Sequence, residues 1–342
     1  MSQQKSVPRM IGESASFLEM QEHISYVAPL NKPVLFVGER GTGKELVAAR
    51  LHYLSQRWEQ SFLKINCAAM SETLLEAQLF GHEAGAYTGA TKQRKGFFER
   101  AHGGTLFMDE LANTPMPVQE KILRVIEYGE FERLGDNETL KVDVRIIGAT
   151  NEDLPDLAKQ GRFREDLLDR LAFDVVTLPP LRERAEDILI LAEYFAVDMV
   201  KEIGGDFFAG FSDKVEKALG KYSWPGNIRE LKNVIERAVY QNGDGHITQL
   251  VFNPFESPYR IRTSTKTQAS EEVGNTSKSS VPTPNLSSAD SFDFKNEVQE
   301  FEINLLNQAM EANQFNQKKA AEFLNLSYHQ LRGYLRKYDL LN

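Results

Sequence analysis

Gly38-Glu39-Arg40-Gly41-Thr42-Gly43-Lys44-Glu45 is the stretch whose reading decides the fold. A β-branched apolar run, Val34-Leu35-Phe36-Val37, leads into it, and residues 45–51 lead out with helical spacing. Strand, glycine loop and helix in that order are the setting a phosphate-binding loop requires. Lacking Cβ atoms, the glycines let backbone N–H groups come close to phosphate oxygens. The helix N-terminus adds partial positive charge and Lys44 a full one. All eight residues are therefore candidates for holding a nucleoside triphosphate. One position departs from the common pattern: the Ser or Thr that usually follows the lysine, a Mg²⁺ ligand, is Glu45. A chance glycine-rich turn is the competing reading, and the flanking strand, helix and lysine weigh against it.

The 342 residues allow two or three domains with a large core. A composition of 41% hydrophobic and 26% charged residues is that of a soluble globular chain. No apolar run is long enough to span a bilayer, and residues 1–10 contain no signal-peptide core, so direct membrane insertion is not expected. A single cysteine, Cys67, rules out an internal disulfide framework and suits a reducing cytoplasm. A net charge of −9 argues against nucleic-acid binding over the whole surface. Between residues 316 and 338, however, Lys318, Lys319, Arg332, Arg336 and Lys337 face a single acid, Glu322. Contact with DNA is expected there.

Moving outward from the loop, residues 61–66 read as a second strand and 71–80 as a helix. Gly85-Ala86-Tyr87-Thr88-Gly89-Ala90 has neither period 2 nor period 3.6, and reads as a mobile surface loop presenting Tyr87 or as a plain turn. Residues 103–110 form a buried strand ending in Asp109 and Glu110. In a parallel α/β sheet the ligand sits at the carboxyl ends of the strands, so both acids face the loop. Asp109 is then placed to hold Mg²⁺ and Glu110 to orient and deprotonate water. Another strand, 142–149, ends at Thr150-Asn151, where a hydroxyl or amide can sense a γ-phosphate. Arg164 and Arg170 flank a short helix. Their fixed donors suit phosphoryl-transfer charge, although on spacing alone ordinary surface ion pairs are the favoured reading.

Residues 173–178 give a fifth strand, stopped by Pro179-Pro180. Helical patterns over 187–200, 212–221 and 227–240 read as a lid closing over the nucleotide, with Arg229 near its last helix start. Residues 257–291 are rich in Ser, Thr and Pro and read as a linker. Beyond it come a helix over 297–312 and two short helices across a tight turn. The second, carrying Tyr328, His329, Gln330, Arg332 and Arg336 after a Ser327 cap, suits a helix-turn-helix, a small interaction bundle being the alternative.

Taken together, the chain resembles the bacterial enhancer-binding activators of sigma-54 RNA polymerase, AAA+ ATPases with a Fis-like helix-turn-helix. Residues 38–45 match that family's own loop, in which Glu follows the Lys. Residues 85–90 resemble its sigma-54-contacting GAFTGA loop, with Tyr87 in place of Phe. Residues 101–110 match its Walker B stretch and 224–231 its second sensor. The resemblance implies an α/β core with a parallel sheet and helical lid, plus a small all-α DNA-binding domain. It places the boundaries at 1–180, 181–256, 257–292 and 293–342.

It further implies that Asn66 switches Glu110 between idle and active positions and that Thr150 and Asn151 are sensor I. Arg164 and Arg170 become arginine fingers for a neighbouring subunit in a homo-hexamer. ATP and Mg²⁺ are the implied cofactors, with Asp109 on the metal. Sigma-54 RNA polymerase holoenzyme and enhancer DNA are the implied partners, the DNA met through Gln317, Lys318, Lys319, Ser327, Tyr328, His329, Gln330, Arg332, Arg336 and Lys337. So few residues precede the loop that regulation is expected from a separate inhibitor protein, with Trp58 as its contact or, alternatively, as a buried core residue. The rival readings are an AAA+ machine remodelling another protein or nucleic-acid complex, and a nucleotide-gated repressor without turnover. Residues 85–90 weigh against the first, Glu110 and the paired arginines against the second.

Overall fold

A computed structural model describes residues 10–87, 89–242, 245–255, 294–313, 316–338 and 340. The chain divides into two compact units between residues 261 and 262. The expected linker and Thr88 lie outside the described residues.

The first unit contains α1 (Ala15–Val27), β1 (Val34–Val37), α2 (Lys44–Tyr53), β2 (Phe62–Asn66), α3 (Glu72–Phe80), β3 (Gly81–His82), β4 (Arg94–Lys95), α4 (Phe97–Arg100), β5 (Thr105–Asp109) and α5 (Met116–Tyr128). There follow β6 (Glu130–Glu132), β7 (Thr139–Lys141), β8 (Arg145–Thr150), α6 (Leu154–Lys159), α7 (Glu165–Leu171), β9 (Val175–Thr177) and the lid helices α8 (Ala185–Glu202), α9 (Asp213–Lys221) and α10 (Asn227–Asn242). Five strands form a parallel sheet in the order β2-β5-β8-β1-β9.

Parallel sheets are covered on both faces, and the strands show how. Leu35, Leu106, Met108 and Ile146 pack with α3 to α7 on one side. Their alternating neighbours Phe36, Phe107, Ile147 and Ala149 pack with α1 and α2 on the other. The phosphate loop and the acids thus share the carboxyl edge. Strand boundaries differ from the sequence reading in two informative places. Glu110 lies outside β5 because its backbone turns left-handed (φ 52°) directly after Asp109. The expected strand over 142–149 begins only at Arg145, the residues before it being taken by the β6–β7 hairpin and its return.

Among the described residues, buried Arg145 has no ion-pair partner. Its guanidinium donates to the carbonyls of Ala28 (2.7 Å), Val27 and Lys32, placing a cation at the C-terminal end of α1. Burial, with the nearby Arg57, pulls its pKa down to about 10.

The lid has its own core around fully buried Trp224, whose indole N–H donates to Leu219 O at 2.9 Å. Asp187 ties it to the start of the chain. Its carboxylate accepts from the Glu13 and Ser14 N–H groups, the Ser14 hydroxyl and Arg184 Nε, at 2.6 to 2.9 Å. Arg184 also lies over the Phe17 ring, 4.2 Å from its centre.

The second unit is α11 (Phe294–Ala312), α12 (Gln317–Phe323) and α13 (Tyr328–Lys337) around Leu306, Ala320, Ala321, Leu331 and Leu335. Asn316 caps α12, and Ser327 with Gln330 forms a capping box on α13. Between them Asn325 makes the turn in a left-handed conformation (φ 57°).

Candidate active site

Gly43 caps α2 with φ 94°, and no atom lies within 4 Å of where a Cβ would stand, so the loop opens outward at that point. At Gly41 the constraint is opposite: a Cβ would fall 2.3 Å from Gly226 O of the lid. Lys44 Nζ donates to Gly38 O (2.7 Å) and Glu39 O (3.0 Å), and Thr42 Oγ1 also donates to Glu39 O. Burial lowers the Lys44 pKa, while Asp109 and Glu110 pull it the other way.

Those acids stand where the strand order brings them. Asp109 is in register with Asn66 across β2 and β5. Its carboxyl is raised by burial and accepts the Glu110 N–H at 3.0 Å. Glu110 Oε1 lies 3.8 Å from Arg40 Nη2. A left-handed non-glycine residue costs about 1–3 kcal/mol, a strain concentrated at working sites. Asn66 Oδ1 accepts from Ala68 N, and Thr150 Oγ1 from Glu152 N, so both side chains here brace their own turns. Asn151 is exposed beside them.

Three expected loop and arginine residues spend their charge elsewhere in the single chain. Glu45 pairs with Lys64 at 2.7 Å. Arg164 pairs with Asp166 at 2.7 Å, with Glu120 3.8 Å away. Arg170 pairs with Glu127 at 2.8 Å. Arg229 donates its backbone N–H to Gly41 O at 3.3 Å, which brings the lid's third helix against the loop. Glu39 directs its carboxylate to two lid residues, Arg182 and Asn227, that sequence reasoning did not assign. Asn227 lies within residues 224–231, matched above to the second sensor, but Arg182 carries no local signal.

Residues 85–90 run between β3 and β4. Gly85 N–H donates to Ala90 O (2.7 Å) and Ala90 N–H to Tyr87 O (3.0 Å), closing a compact tip. The Tyr87 ring does not project freely: it is half-buried, edge-on to His82 with ring centres 5.0 Å apart. Ala86 meets Gly135, and Gly89 is exposed. At the base, Arg133 joins Glu83 (3.2 Å) and Glu99 (2.9 Å), a clasp that single residue types did not reveal.

Cys67, next to Asn66, is buried, and that burial pushes its thiol pKa up to about 12. Trp58 is 53% exposed in the turn after α2. Arg57 fixes this turn through a two-pronged pair with Asp143 (2.7 and 2.8 Å) and a bond to Gly104 O.

On the small unit, Lys318, Lys319, His329, Arg332 and Arg336 are exposed. Ser327 and Gln330 are engaged in the capping box, so the Gln330 carboxamide oxygen is not free. Tyr328 reaches Gln317, and Lys337 reaches Glu302 at 3.4 Å. Among the described residues there is no cluster of His, Cys, Asp and Glu able to hold a metal by itself, and no helix long and apolar enough to cross a membrane.

Comparison with known proteins gives three family matches along the chain. Residues 10–177 match the Sigma-54 interaction domain, 182–269 the AAA+ ATPase lid domain, and 297–338 the Bacterial regulatory protein, Fis family. The Psp operon transcriptional activator of Escherichia coli K12 is 51% identical over 97% of this chain and 98% of its own. Regulatory protein AtoC of the same organism is 40% identical over 97% of this chain and 68% of its own. The Nif-specific regulatory protein of Azotobacter vinelandii is 47% identical over 70% of this chain and 46% of its own. A crystal structure of NtrX from Brucella abortus in complex with ADP superposes with a TM-score of 0.66 at 30% identity, covering 97% of this chain and 69% of that one.

Proposed function

The chain belongs to the sigma-54 interaction family of AAA+ ATPases with a Fis-type DNA-binding domain, and from that membership we propose how its own residues divide the work. It is a sigma-54-dependent transcription activator that binds and hydrolyses ATP. The specific role proposed is activation of a phage shock operon, by likeness to the Psp operon activator.

The juxtaposition of Lys44 with Asp109 and Glu110 at one sheet edge carries this reading. Lys44 and the N–H groups of residues 38–45 hold the phosphates. The half-buried Asp109 carboxylate suits Mg²⁺, which when bound neutralises phosphate charge. Glu110 orients and deprotonates the attacking water. Asn66, one strand away, governs when Glu110 is free to do so, while Thr150 and Asn151 sense the γ-phosphate. Arg229 approaches from the lid. Subunits form a hexamer in which Arg164 and Arg170 leave their acid partners for the neighbouring subunit's nucleotide.

Hydrolysis then moves residues 85–90, with Tyr87 and Thr88 delivering the push to sigma-54 at the promoter. Lys318, Lys319, His329, Arg332 and Arg336 hold enhancer DNA, the cations on phosphates or base edges. Exposed Trp58, held by Arg57, is the contact for a trans-acting inhibitor resembling phage shock protein A, and the protein works in the cytoplasm. Open-complex formation on a sigma-54 promoter tests the core of this reading. ATP should support it and a nonhydrolysable analogue should not; equal promoter melting with either would refute it.

A further inference from the structure

Glu39 belongs to the phosphate loop, yet its side chain leaves it. Arg182 Nη1 and Nη2 reach its two oxygens at 3.0 and 2.7 Å, a forked pair. Asn227 Nδ2 donates to Glu39 Oε2 and to Arg40 O, both at 3.0 Å, and Asn227 Oδ1 accepts the Leu181 N–H at 2.8 Å. Asn227 is fully buried and left-handed (φ 51°), so backbone strain is accepted to put this carboxamide between loop and lid. Arg182 lies two residues after Pro180, where the lid begins, and Asn227 is the first residue of α10, two before Arg229.

The other end of Glu39 is also engaged. Its carbonyl accepts from Lys44 Nζ at 3.0 Å and from Thr42 Oγ1 at 2.9 Å. An ammonium has three donors, and two of those of Lys44 are engaged by the Gly38 and Glu39 carbonyls, so turning more than one to phosphate oxygens means giving up a carbonyl. Nucleotide that draws Lys44 off Glu39 O would act on the backbone of the residue whose carboxylate grips the lid. We propose that the Glu39 side chain is a positioning group rather than a nucleotide ligand: with Arg182 and Asn227 it forms a latch that sets Arg229 over the phosphates and passes loop occupancy to the lid. The inference rests on residues 38–45 being the nucleotide site.

The Arg182 and Glu39 side chains are 45% and 42% exposed, a setting where an ion pair adds little to stability. Breaking it should act on lid position more than on folding. Release of a fluorescent ADP analogue from the full-length protein tests this, with nucleotide-free melting in parallel. R182Q and E39Q should each release the analogue about 5-fold faster or more, the lower range of couplings between sites. The E39Q/R182Q double variant should be no faster than the faster single one, since one broken pair cannot be broken twice. R182K should recover part of the retention, charge being kept and the fork lost.

Wild-type release rates in both single variants, or effects that multiply in the double, would overturn the latch. So would release rates that simply follow melting midpoints across the set. K44A separates the two layers: if it still binds the analogue, the nucleotide-site reading itself is wrong. If it loses the analogue while R182Q and E39Q behave as wild type, only the latch falls.

Discussion

Glu110 and Arg164 show how much one residue's surroundings decide. Glu110 sits in a strained backbone at the end of β5, facing Arg40, and the proposed role is to take a proton from water. Glu110→Gln should keep nucleotide affinity and lower turnover by about 10²–10⁴, the range for a positioned general base. Parallel binding and ATPase assays decide it, and near-normal turnover would remove the role. Arg164→Ala should lower turnover by about 10³–10⁵ if the guanidinium acts on a neighbour's phosphates. Its present partners, Asp166 and Glu120, are exposed enough that the fold should barely notice. The phosphate loop and both acids were legible because each is fixed by local order: strand, then glycines or carboxylates, then helix. Arg182 was not legible, since its meaning comes from Glu39, far away in sequence and near only after folding.

At the scale of elements, the lid and the first helix share one buried charge. Burial alone would raise the Asp187 carboxyl, but the Glu13 and Ser14 N–H groups, the Ser14 hydroxyl and Arg184 hold it below the usual carboxylate range. A carboxyl so lowered stabilises the fold fully above its unfolded pKa of about 3.9 and loses that contribution as pH falls through the folded value. Chemical denaturation from pH 7 down to 3 should therefore show a steep acid limb that flattens in Asp187→Asn. That variant should lose about 3–5 kcal/mol at pH 7, because buried Arg184 is left uncompensated. A loss under 1 kcal/mol would mean that water replaces the carboxylate. The helices themselves were readable from periodicity, whereas this clasp joins residues separated by more than half the chain. The β6–β7 hairpin was missed for another reason: three-residue strands are too short to establish an alternation.

For the molecule as a whole, the division of labour predicts separable losses. Thr88→Ala should retain ATP hydrolysis and lose sigma-54 engagement, read by ATPase rate and by retention of promoter-bound sigma-54 in a gel shift. Equal loss of both would contradict the separation of motor from contact loop. The half-buried Tyr87, edge-on to His82, fits such a separation, since its ring rests against a residue outside the phosphate loop and the acidic strand end. Fold class and the order of parts were readable along the whole chain because every part carried its own pattern. The arginines' proposed place on a neighbouring subunit rests on resemblance alone, because within one chain Arg164 and Arg170 simply pair with Asp166 and Glu127.

The lone thiol of Cys67 has a practical consequence. Shut inside the sheet's edge next to Asn66 and almost wholly protonated at neutral pH, it is inert to alkylating reagents while the structure stays closed. Any labelling must then wait for that strand end to breathe. The chain thus carries a natural stopwatch: mass added per minute, with and without nucleotide, times how often the catalytic edge comes apart.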